Sequence, residues 1–327
     1  MAKKGILDRL RDGVVLGDGG YLLELEKRGY VKAGPFTPEV VIEHPEALRQ
    51  LHTEFRRAGS EVLQTCTFYG SREKLSVAGY ADDVEQINRA AVRLAREVAG
   101  ENVLVAGNLS LTWAYDPDDK LSSDRVLDLF RQQVALQKGE GVDFFIAETF
   151  HYLGEALLAL RAIKDAGFPA MITFNFKKPA ISREGRSPAE CARQLEANGA
   201  DIVGTNCGRD PKHMLPVTQE IRDAVQCAVA AQPAGFRCTD EIPYFMGLPQ
   251  FPLELDPLQL TRLEMAQFAS QARQMGVGYV GACCGVAAAQ IRAMAEALGR
   301  KPEASAKSPD LEIHPILGPE KSGKAAR

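Results

Sequence analysis

The segment PAECARQLEANGADIVGTNC, residues 188–207, contains one complete helix–turn–strand unit. Apolar residues at helical spacing predict a helix over Pro188–Ala197, and Asn198-Gly199 supplies the glycine that commonly ends a helix. The next run, Asp201–Cys207, is short and rich in β-branched residues, which is typical of a buried strand. This segment therefore predicts a fold in which helices alternate with buried strands.

The same unit recurs along the chain. Strands are predicted at Gly13–Gly19, Glu61–Phe68, Val103–Leu109, Asp143–Glu148, Pro169–Phe174, Asp201–Cys207, Gln226–Ala231 and Gly278–Cys283. Helices are predicted at Pro45–Ala58, Asp83–Ala99, Ser123–Lys138, Leu153–Ala166, Pro188–Ala197, Leu258–Met275 and Val286–Leu298. Eight alternations favour an α/β fold, a single-domain (β/α)8 TIM barrel. The alternative is an open doubly wound sheet, but no G-x-G-x-x-G motif opens the first helix.

The chain divides into a barrel and a short tail. We expect the barrel to occupy residues 1–299. Residues 300–327 are rich in Pro, Lys, Ser and Glu and lack apolar periodicity, so they are predicted to be a mobile tail. Gln232–Leu255 is predicted to be a long loop, and loops of this length are usually functional.

Composition excludes several classes of protein. The 327 residues carry a net charge of −4, so no basic excess exists to neutralise nucleic acid or an anionic membrane. No apolar run approaches the roughly 20 residues of a membrane span, and the N-terminus lacks a secretory signal. Seven cysteines, an odd number that includes a Cys-Cys pair, indicate reduced thiols and a cytoplasmic setting.

Three cysteines lie at the ends of two predicted strands. Cys207 ends the sixth strand, and Cys283 and Cys284 end the eighth. All strand carboxyl ends of a barrel open onto one face, where three thiolates can converge on a tetrahedral zinc ion and leave one position for substrate. The alternative is that they are buried apolar residues. The other cysteines are interpreted as structural: Cys66, Cys191, Cys227 and Cys238.

Two carboxylates occupy similar positions. Asp18 follows the first strand and Glu148 ends the fourth. A buried carboxylate needs a partner, and the ammonium group of a substrate would supply one. The alternative is that each caps a neighbouring helix or loop. Thr65, at the end of the second strand, offers a hydroxyl to a substrate carboxylate.

Aromatic residues cluster at or just beyond the predicted strand ends, where their faces would attract a cationic ligand. They are Phe36, Phe68, Tyr69, Trp113, Tyr115, Phe150 and Tyr152. The alternative role for each is packing at the top of the barrel.

Four short segments resemble the zinc-dependent homocysteine S-methyltransferases: GDGG at 17–20, AET at 147–149, GTNC at 204–207 and GACCG at 281–285. The runs 27–52 and 64–71 are most similar to the betaine-using members of that family. The resemblance covers about residues 4–298. It implies zinc-dependent transfer of a methyl group from a quaternary ammonium donor to the thiol of homocysteine, which gives methionine.

The resemblance also assigns roles to individual residues. Cys207, Cys283 and Cys284 resemble the Zn²⁺ ligands. The residues that resemble the homocysteine site are Asp18, Gly19 and Glu148, which meet its ammonium end, and Thr65, which meets its carboxylate. Phe36 and Tyr69 resemble members of the donor pocket.

Two positions depart from the betaine pattern. Phe36 stands where the betaine enzymes have tryptophan, and Thr149 stands where they have tyrosine. The alternative donor is therefore a sulfonium compound such as S-methylmethionine. Two alternative functions are methyl transfer that works with a separate corrinoid protein, and a non-enzymatic role as a zinc scaffold. The arm through which the betaine enzymes oligomerise has no counterpart in the resemblance, so a homo-oligomer is possible but not implied.

Overall fold

The computed structural model describes residues 3–32 and 38–308, together with residues 310 and 316. Phe36, a predicted member of the donor pocket, lies outside the described residues. So does most of the predicted tail beyond residue 308.

Eight parallel strands form one sheet, in the order β1-β8-β7-β6-β5-β4-β3-β2. They are β1 Val15–Leu16, β2 Val62–Gln64, β3 Leu104–Ser110, β4 Phe144–Phe150, β5 Ala170–Phe174, β6 Ile202–Asn206, β7 Ala228–Gln232 and β8 Tyr279–Val280. The first strand pairs in parallel with the last, so the sheet curls back on itself. All eight predicted strands and the single-domain (β/α)8 barrel are confirmed.

The barrel closes between β1 and β2 through a few hydrogen bonds, some of which involve side chains. Among the described residues no strand ladder joins these two strands. Instead, Glu61 N donates to the carbonyl of Leu16 over 2.8 Å, and Leu16 N donates to Glu61 Oε2 over 2.9 Å. Gln64 N donates to Asp18 Oδ2 over 2.7 Å. Two carboxylates therefore supply acceptors that a neighbouring main chain supplies elsewhere in the sheet.

Twelve α-helices lie in the described part of the chain. They are α1 Ile6–Asp12, α2 Leu22–Lys27, α3 Val40–Glu43, α4 Pro45–Ala58, α5 Arg72–Val77, α6 Val84–Ala99, α7 Lys120–Lys138, α8 Leu153–Asp165, α9 Pro188–Ala197, α10 Pro211–Ala224, α11 Arg262–Gln274 and α12 Ala288–Ala297. The seven predicted helices are confirmed with small shifts at their ends. Five helices were not predicted: α1, α2, α3, α5 and α10. The first four are each no longer than seven residues, and α10 contains Pro216 in its interior as well as Pro211 at its start.

Apolar side chains fill the barrel from its amino-terminal end. This inner cluster includes Val15, Val62, Phe144 and Tyr279, and Ile6 of α1 joins it from below. A larger cluster packs the outer face of the sheet against the surrounding helices. At the carboxyl end of the strands the interior is polar, since Gln64, Asn108, Glu148 and Asn206 are buried there. The described residues therefore enclose a polar site at the carboxyl end of the strands.

The long connection between β7 and α11 lies against this polar end. Its two short 3-10 turns are Phe245–Gly247 and Asp256–Leu258. Phe245 N donates to the carbonyl of Gly208 over 2.8 Å, which ties the connection to the residue after Cys207. The predicted loop is thus part of the wall around the strand ends.

Beyond α12, the described residues continue along the outside of the barrel. Arg300 forms an ion pair with Glu61 (2.6 Å), and Arg57 of α4 forms one with Glu303 (2.9 Å). The domain boundary at residue 299 and the mobility of the tail stay predictions. No helix in the described ranges is both long and apolar enough to cross a membrane.

Candidate active site

The three predicted cysteines meet at the carboxyl end of the barrel. The Sγ atoms of Cys207, Cys283 and Cys284 all lie within 4.8 Å of one another, and those of Cys207 and Cys284 are 3.7 Å apart. In the described ranges this is the one group of three histidine, cysteine or acidic side chains arranged closely enough to hold a metal ion. The remaining cysteines stay outside the group, although Cys66 lines the same cavity.

A tight left-handed turn aims Cys207 into the barrel. Its φ is 57°, which is uncommon for any residue other than glycine. Gly208 continues the turn with a φ of 68°, and a Cβ there would lie 2.6 Å from Asn175 Oδ1. Arg209 N donates to the carbonyl of Cys207 over 2.7 Å, and Cys207 N donates to that of Gln232 over 2.8 Å. Hydrogen bonds to both its N–H and its carbonyl thus hold the strained backbone of Cys207, as expected at a functional site.

The Cys283-Cys284 pair lies in a second turn, which packs against the first loop of the barrel. Gly285 has a φ of 81°, and a Cβ there would lie 2.4 Å from the ring of Phe236. A Cβ on Gly20 would lie 2.8 Å from the carbonyl oxygen of Cys283. The GDGG turn therefore contains glycine at this position because the metal-site backbone passes directly over it.

The thiols share charge unequally. Hydrogen bonds from Cys283 and Cys284 hold the pKa of Cys207 well below its usual range. The same contacts raise the pKa of Cys283, with burial adding to the effect. Hydrogen bonding within the cluster therefore favours the thiolate form of Cys207.

The sulfur positions fit a tetrahedral metal ion. Metal–sulfur bonds of about 2.3 Å at tetrahedral angles place sulfur atoms about 3.8 Å apart, close to the 3.7 Å between Cys207 and Cys284. Thiolate ligands select soft metals and not magnesium or calcium. Three protein ligands leave a fourth position, the arrangement of a catalytic centre. The donor set therefore suits a soft metal ion with an open site.

Glu148 lies in the same cavity as the thiols. Asn108 Nδ2 donates to its Oε1 over 2.6 Å, and Asn206 Nδ2 donates to its Oε2 over 2.8 Å. Burial raises the pKa of Glu148 to about 8; the bond from Asn108 opposes this rise, and the charges of Cys207 and Asp18 add to it. The carboxylate is oriented by two amides but lacks a counter-charge among the residues that bond to it.

Asp18 has a different environment from Glu148. Its carboxylate is completely buried and accepts hydrogen bonds from Tyr21 Oη (2.6 Å), Gln64 N (2.7 Å) and Gln64 Nε2 (3.1 Å). Burial raises its pKa to about 6, although these bonds lower it. The protein itself thus satisfies Asp18, while its neighbour Gly19 lines the cavity.

Thr65 lines the cavity beside Glu148. Its Oγ1 accepts a hydrogen bond from Asn108 N over 2.9 Å and lies 2.9 Å from Oγ1 of Thr67. The hydroxyl is therefore part of a buried network that leads to the amide of Asn108.

The predicted aromatic residues separate into three groups. Phe68, Tyr69 and Trp113 contact one another in sequence as tilted rings, with centroid distances of 4.6 Å and 5.7 Å. Tyr115 and Tyr152 form a second pair, and Phe150 packs in the hydrophobic core. Of the residues in these groups, only Phe68 lines the cavity itself.

Sequence reasoning missed the amides that organise the site. Gln64, Asn108 and Asn206 each lie at or near the end of a buried strand, where a polar side chain has no reason to be unless it bonds to another polar group. This signal was available in the strand sequences. A fourth missed residue is Lys74 of α5, which the contacts place beside Tyr69.

Comparison with known proteins identifies the family of this chain. The sequence profile of a family described as homocysteine S-methyltransferase matches residues 15–298. Betaine–homocysteine S-methyltransferase 1 of Mus musculus is 43% identical over 97% of this chain and 80% of its own length. S-methylmethionine–homocysteine S-methyltransferase BHMT2 of Pongo abelii is 42% identical over 97% of this chain and 87% of its own.

A solved structure shares the fold. The homocysteine methyltransferase MmuM from Escherichia coli, in its metallated form, superposes with a TM-score of 0.72 over 93% of this chain and all of its own. At 20% sequence identity this likeness supports the barrel and not the details of the site. The profile match over most of the barrel, together with relatives above 40% identity, leads to one conclusion: this chain belongs to the homocysteine S-methyltransferase family.

Proposed function

We propose that this protein transfers a methyl group from a betaine-type quaternary ammonium donor to the thiol of homocysteine, giving methionine. In this proposal Cys207, Cys283 and Cys284 hold a zinc ion. The observation that carries it is the convergence of three thiols beside Glu148 in one cavity at the carboxyl end of the barrel. A metal centre and a site for a substrate ammonium are thereby adjacent.

Different residues of the cavity bind different groups of homocysteine. Bound zinc would deprotonate the substrate thiol by coordination and keep it nucleophilic at neutral pH. Glu148, held by Asn108 and Asn206, attracts the ammonium group. Thr65 meets the carboxylate through its hydroxyl. Gly19 also lines the cavity, and a Cβ there would lie 2.4 Å from the carbonyl oxygen of Val286, so glycine lets the loop after β1 pack closely at the edge of the site. Asp18 supports this arrangement by holding Gln64 rather than by direct contact.

Methyl transfer is a single displacement. The homocysteine sulfur forms a bond to the methyl carbon, the bond from carbon to the donor nitrogen breaks, and the electron pair leaves with a neutral tertiary amine. The attack must be in line, so the chief contribution of the residues is to position both substrates. Positive charge on the donor is lost during the reaction, and an apolar wall such as Phe68 favours that loss.

A sulfonium donor is the second candidate. Thr149 lines the cavity where the betaine enzymes carry tyrosine, and one relative, from Pongo abelii, is named for S-methylmethionine. A corrinoid partner protein and a non-enzymatic scaffold remain further alternatives, but Glu148 and its two amides argue for a site that binds a small substrate.

A donor screen tests the proposal. Zinc-loaded protein is incubated with homocysteine and, in turn, glycine betaine, dimethylsulfonioacetate or S-methylmethionine, with methionine as the readout. We expect methionine from glycine betaine at a rate that a Cys207→Ser variant does not sustain. Methionine from S-methylmethionine alone would select the sulfonium alternative. No methionine from any donor would contradict the proposal.

We also infer a cytoplasmic setting with only small molecules as obligatory partners. All seven cysteines are free, and a thiolate metal site needs a reducing compartment. Assembly into a homo-oligomer is compatible with this function, and light scattering after size-exclusion chromatography measures it directly.

A further inference from the structure

Lys74 is a buried lysine whose ammonium has no hydrogen-bonding partner. The side chain is 1% exposed, and Nζ donates to no atom within the described part of the chain. Its main chain is fixed, because Lys74 N donates to Oγ of Ser71 at the start of α5. Burial of an unpartnered ammonium is costly. A buried ammonium without partners therefore either has a function or is offset by stabilising contacts elsewhere in the protein.

Two aromatic rings cover this ammonium. Nζ lies 3.3 Å from the centroid of Trp113 and 4.2 Å from that of Tyr69. Cation–π contacts stabilise the charged form of lysine at such distances. The sequence predicts these same rings as part of a cage for the donor cation. The structure shows that a cation from the protein already occupies the faces they turn toward α5.

The nearest carboxylates bond to other groups. Glu155 Oε1 accepts from Thr112 N (2.6 Å) and Thr112 Oγ1 (2.7 Å), and Glu73 Oε1 accepts from Trp113 N (2.8 Å). Neither forms an ion pair with Lys74. Burial lowers the pKa of Lys74 to about 7, although the charges of Glu73 and Glu155 raise it. An anion bound at Nζ would therefore favour the charged form of a lysine that has no hydrogen-bonding partner in the described part of the chain.

Tyr69 and Trp113 connect Lys74 to the reaction site and to solvent. Phe68 lines the cavity that holds the thiols, and the ring centroid of Tyr69 lies 4.6 Å from that of Phe68. Burial, and then the charges of Cys207 and Cys284, raise the pKa of Tyr69 to about 12. Trp113 is 52% exposed and lies in the loop after β3. Of the two rings that cover Lys74, it is the exposed one.

We propose that Lys74 determines donor specificity by binding the carboxylate of the methyl donor, which enters when Trp113 turns away. This rests on the proposed function and deepens it. A betaine-type donor carries a carboxylate close to its cationic, methyl-bearing atom. With the carboxylate on Lys74, the methyl group extends past Tyr69 toward the cysteines. A donor cation does not fit between Tyr69 and Trp113 while the ammonium of Lys74 is there.

Trp113 is the only tryptophan of the chain, so its fluorescence reports binding beside Lys74 even when no methyl group is transferred. The wild-type protein is titrated with glycine betaine and, separately, with tetramethylammonium, which has the same cationic head and no carboxylate. We expect a saturable change in emission with glycine betaine and none with tetramethylammonium at the same concentrations. An equal response to both would overturn the proposal.

Kinetics of a Lys74→Met variant test the charge itself. Dimethylsulfonioacetate and trimethylsulfonium share the reacting sulfonium and differ by one carboxylate. We expect KM for dimethylsulfonioacetate to rise about 10- to 100-fold, the usual effect of losing a charged hydrogen bond, with kcat within about 3-fold. KM for trimethylsulfonium should not change. Lys138→Met is the matched control, because Lys138 Nζ lies 5.7 Å from the ring of Phe168 outside this site.

The outcomes separate the two proposals. Equal KM changes for both sulfonium donors, or no change for either, would show that Lys74 has a structural role only. A lysine without partners should leave the melting temperature of Lys74→Met unchanged or raised. If no donor yields methionine, the proposed function fails, whereas a selective fluorescence response to glycine betaine would still support recognition of its carboxylate.

Discussion

Asn206 Nδ2 donates a hydrogen bond to Glu148 Oε2 over 2.8 Å, although the two residues are 58 positions apart in the chain. Asn206 also accepts a bond from Thr149 N over 2.9 Å, and it directly precedes Cys207. One amide therefore ties the carboxylate proposed for homocysteine to the backbone of a proposed metal ligand. In the proposed function, this contact fixes Glu148, which would bind the ammonium, relative to Cys207, which would bind the metal.

Replacing one cysteine of the cluster should remove the metal and the activity together. We expect Cys207→Ser to bind far less zinc and to lose at least about 100-fold in kcat, since even partners of metal ligands contribute 10- to 100-fold. Elemental analysis and methionine formation measure the two effects. Cys191→Ser is the control, because Cys191 is a buried thiol in α9 outside the cluster. Normal turnover by metal-free Cys207→Ser would rule out the metal mechanism.

Neutralising the cavity carboxylate should weaken homocysteine binding. In Glu148→Gln the side-chain oxygen still accepts from one of the two amides, Asn108 or Asn206, the other amide loses its acceptor, and the charge that attracts the ammonium is lost. We expect KM for homocysteine to rise about 10- to 100-fold, while KM for the donor stays within about 3-fold. Glu140→Gln, which removes a carboxylate paired with Arg93 outside the cavity, should leave both values unchanged. Unchanged KM in Glu148→Gln would remove Glu148 from the homocysteine site.

A tyrosine at position 149 should improve the use of a quaternary ammonium donor. Thr149 lines the cavity, and its Oγ1 accepts a bond from Asn206 Nδ2 over 2.7 Å. An aromatic face there would add a cation–π contact, so we expect kcat/KM for glycine betaine to rise about 3- to 30-fold in Thr149→Tyr. Thr149→Ser keeps the hydroxyl and should behave as the parent. An unchanged or poorer rate in the tyrosine variant would exclude this position as a determinant of donor choice.

The stability of the fold should decrease in mild acid because of His52. This ring is completely buried, its Nδ1 lies 3.0 Å from Tyr21 Oη, and Nε2 has no partner in the described part of the chain. Burial lowers its pKa from 6.5 to about 3. Between these values the unfolded chain binds a proton that the native state does not. The free energy of unfolding therefore falls as pH falls below about 6.5, by up to about 1.4 kcal/mol per pH unit.

Urea unfolding at pH 7 and pH 5 measures this effect. We expect the difference between the two pH values to shrink in His52→Asn, which keeps a polar group near Tyr21 but does not titrate. His44→Asn is the control, since His44 is an exposed histidine whose replacement leaves the burial of His52 unchanged. The same pH dependence in His52→Asn as in the parent would show that His52 is not its source.

Periodicity was sufficient to predict the barrel, because each buried strand is a short apolar run and each outer helix has one apolar face. It was insufficient for α10, where Pro216 interrupts a helix that the surrounding packing nevertheless holds. The ends of β1 and β8 were also placed too far out, since each is only two residues long. Strand length depends on pairing with neighbours, which a single strand sequence does not contain.

The cysteine cluster was predictable because topology brings the ends of β6 and β8 to one face. The hydrogen-bonding partners of each side chain could not be predicted from the sequence. Asp18 and Glu148 look alike in the sequence, yet one is surrounded by Tyr21 and Gln64 and the other opens into the cavity. Lys74 was overlooked because a lysine in a short helix normally points into solvent, and only the positions of Tyr69 and Trp113 show otherwise.

The carboxylate of Asp18 accepts a hydrogen bond from the main chain of Gln64 at the end of the neighbouring strand. One side chain therefore helps to join two strands of the barrel at the rim where ligands enter. Replacing Asp18 would therefore weaken the barrel wall and disturb the site together. Lost activity in such a variant would not measure contact between this acid and a substrate.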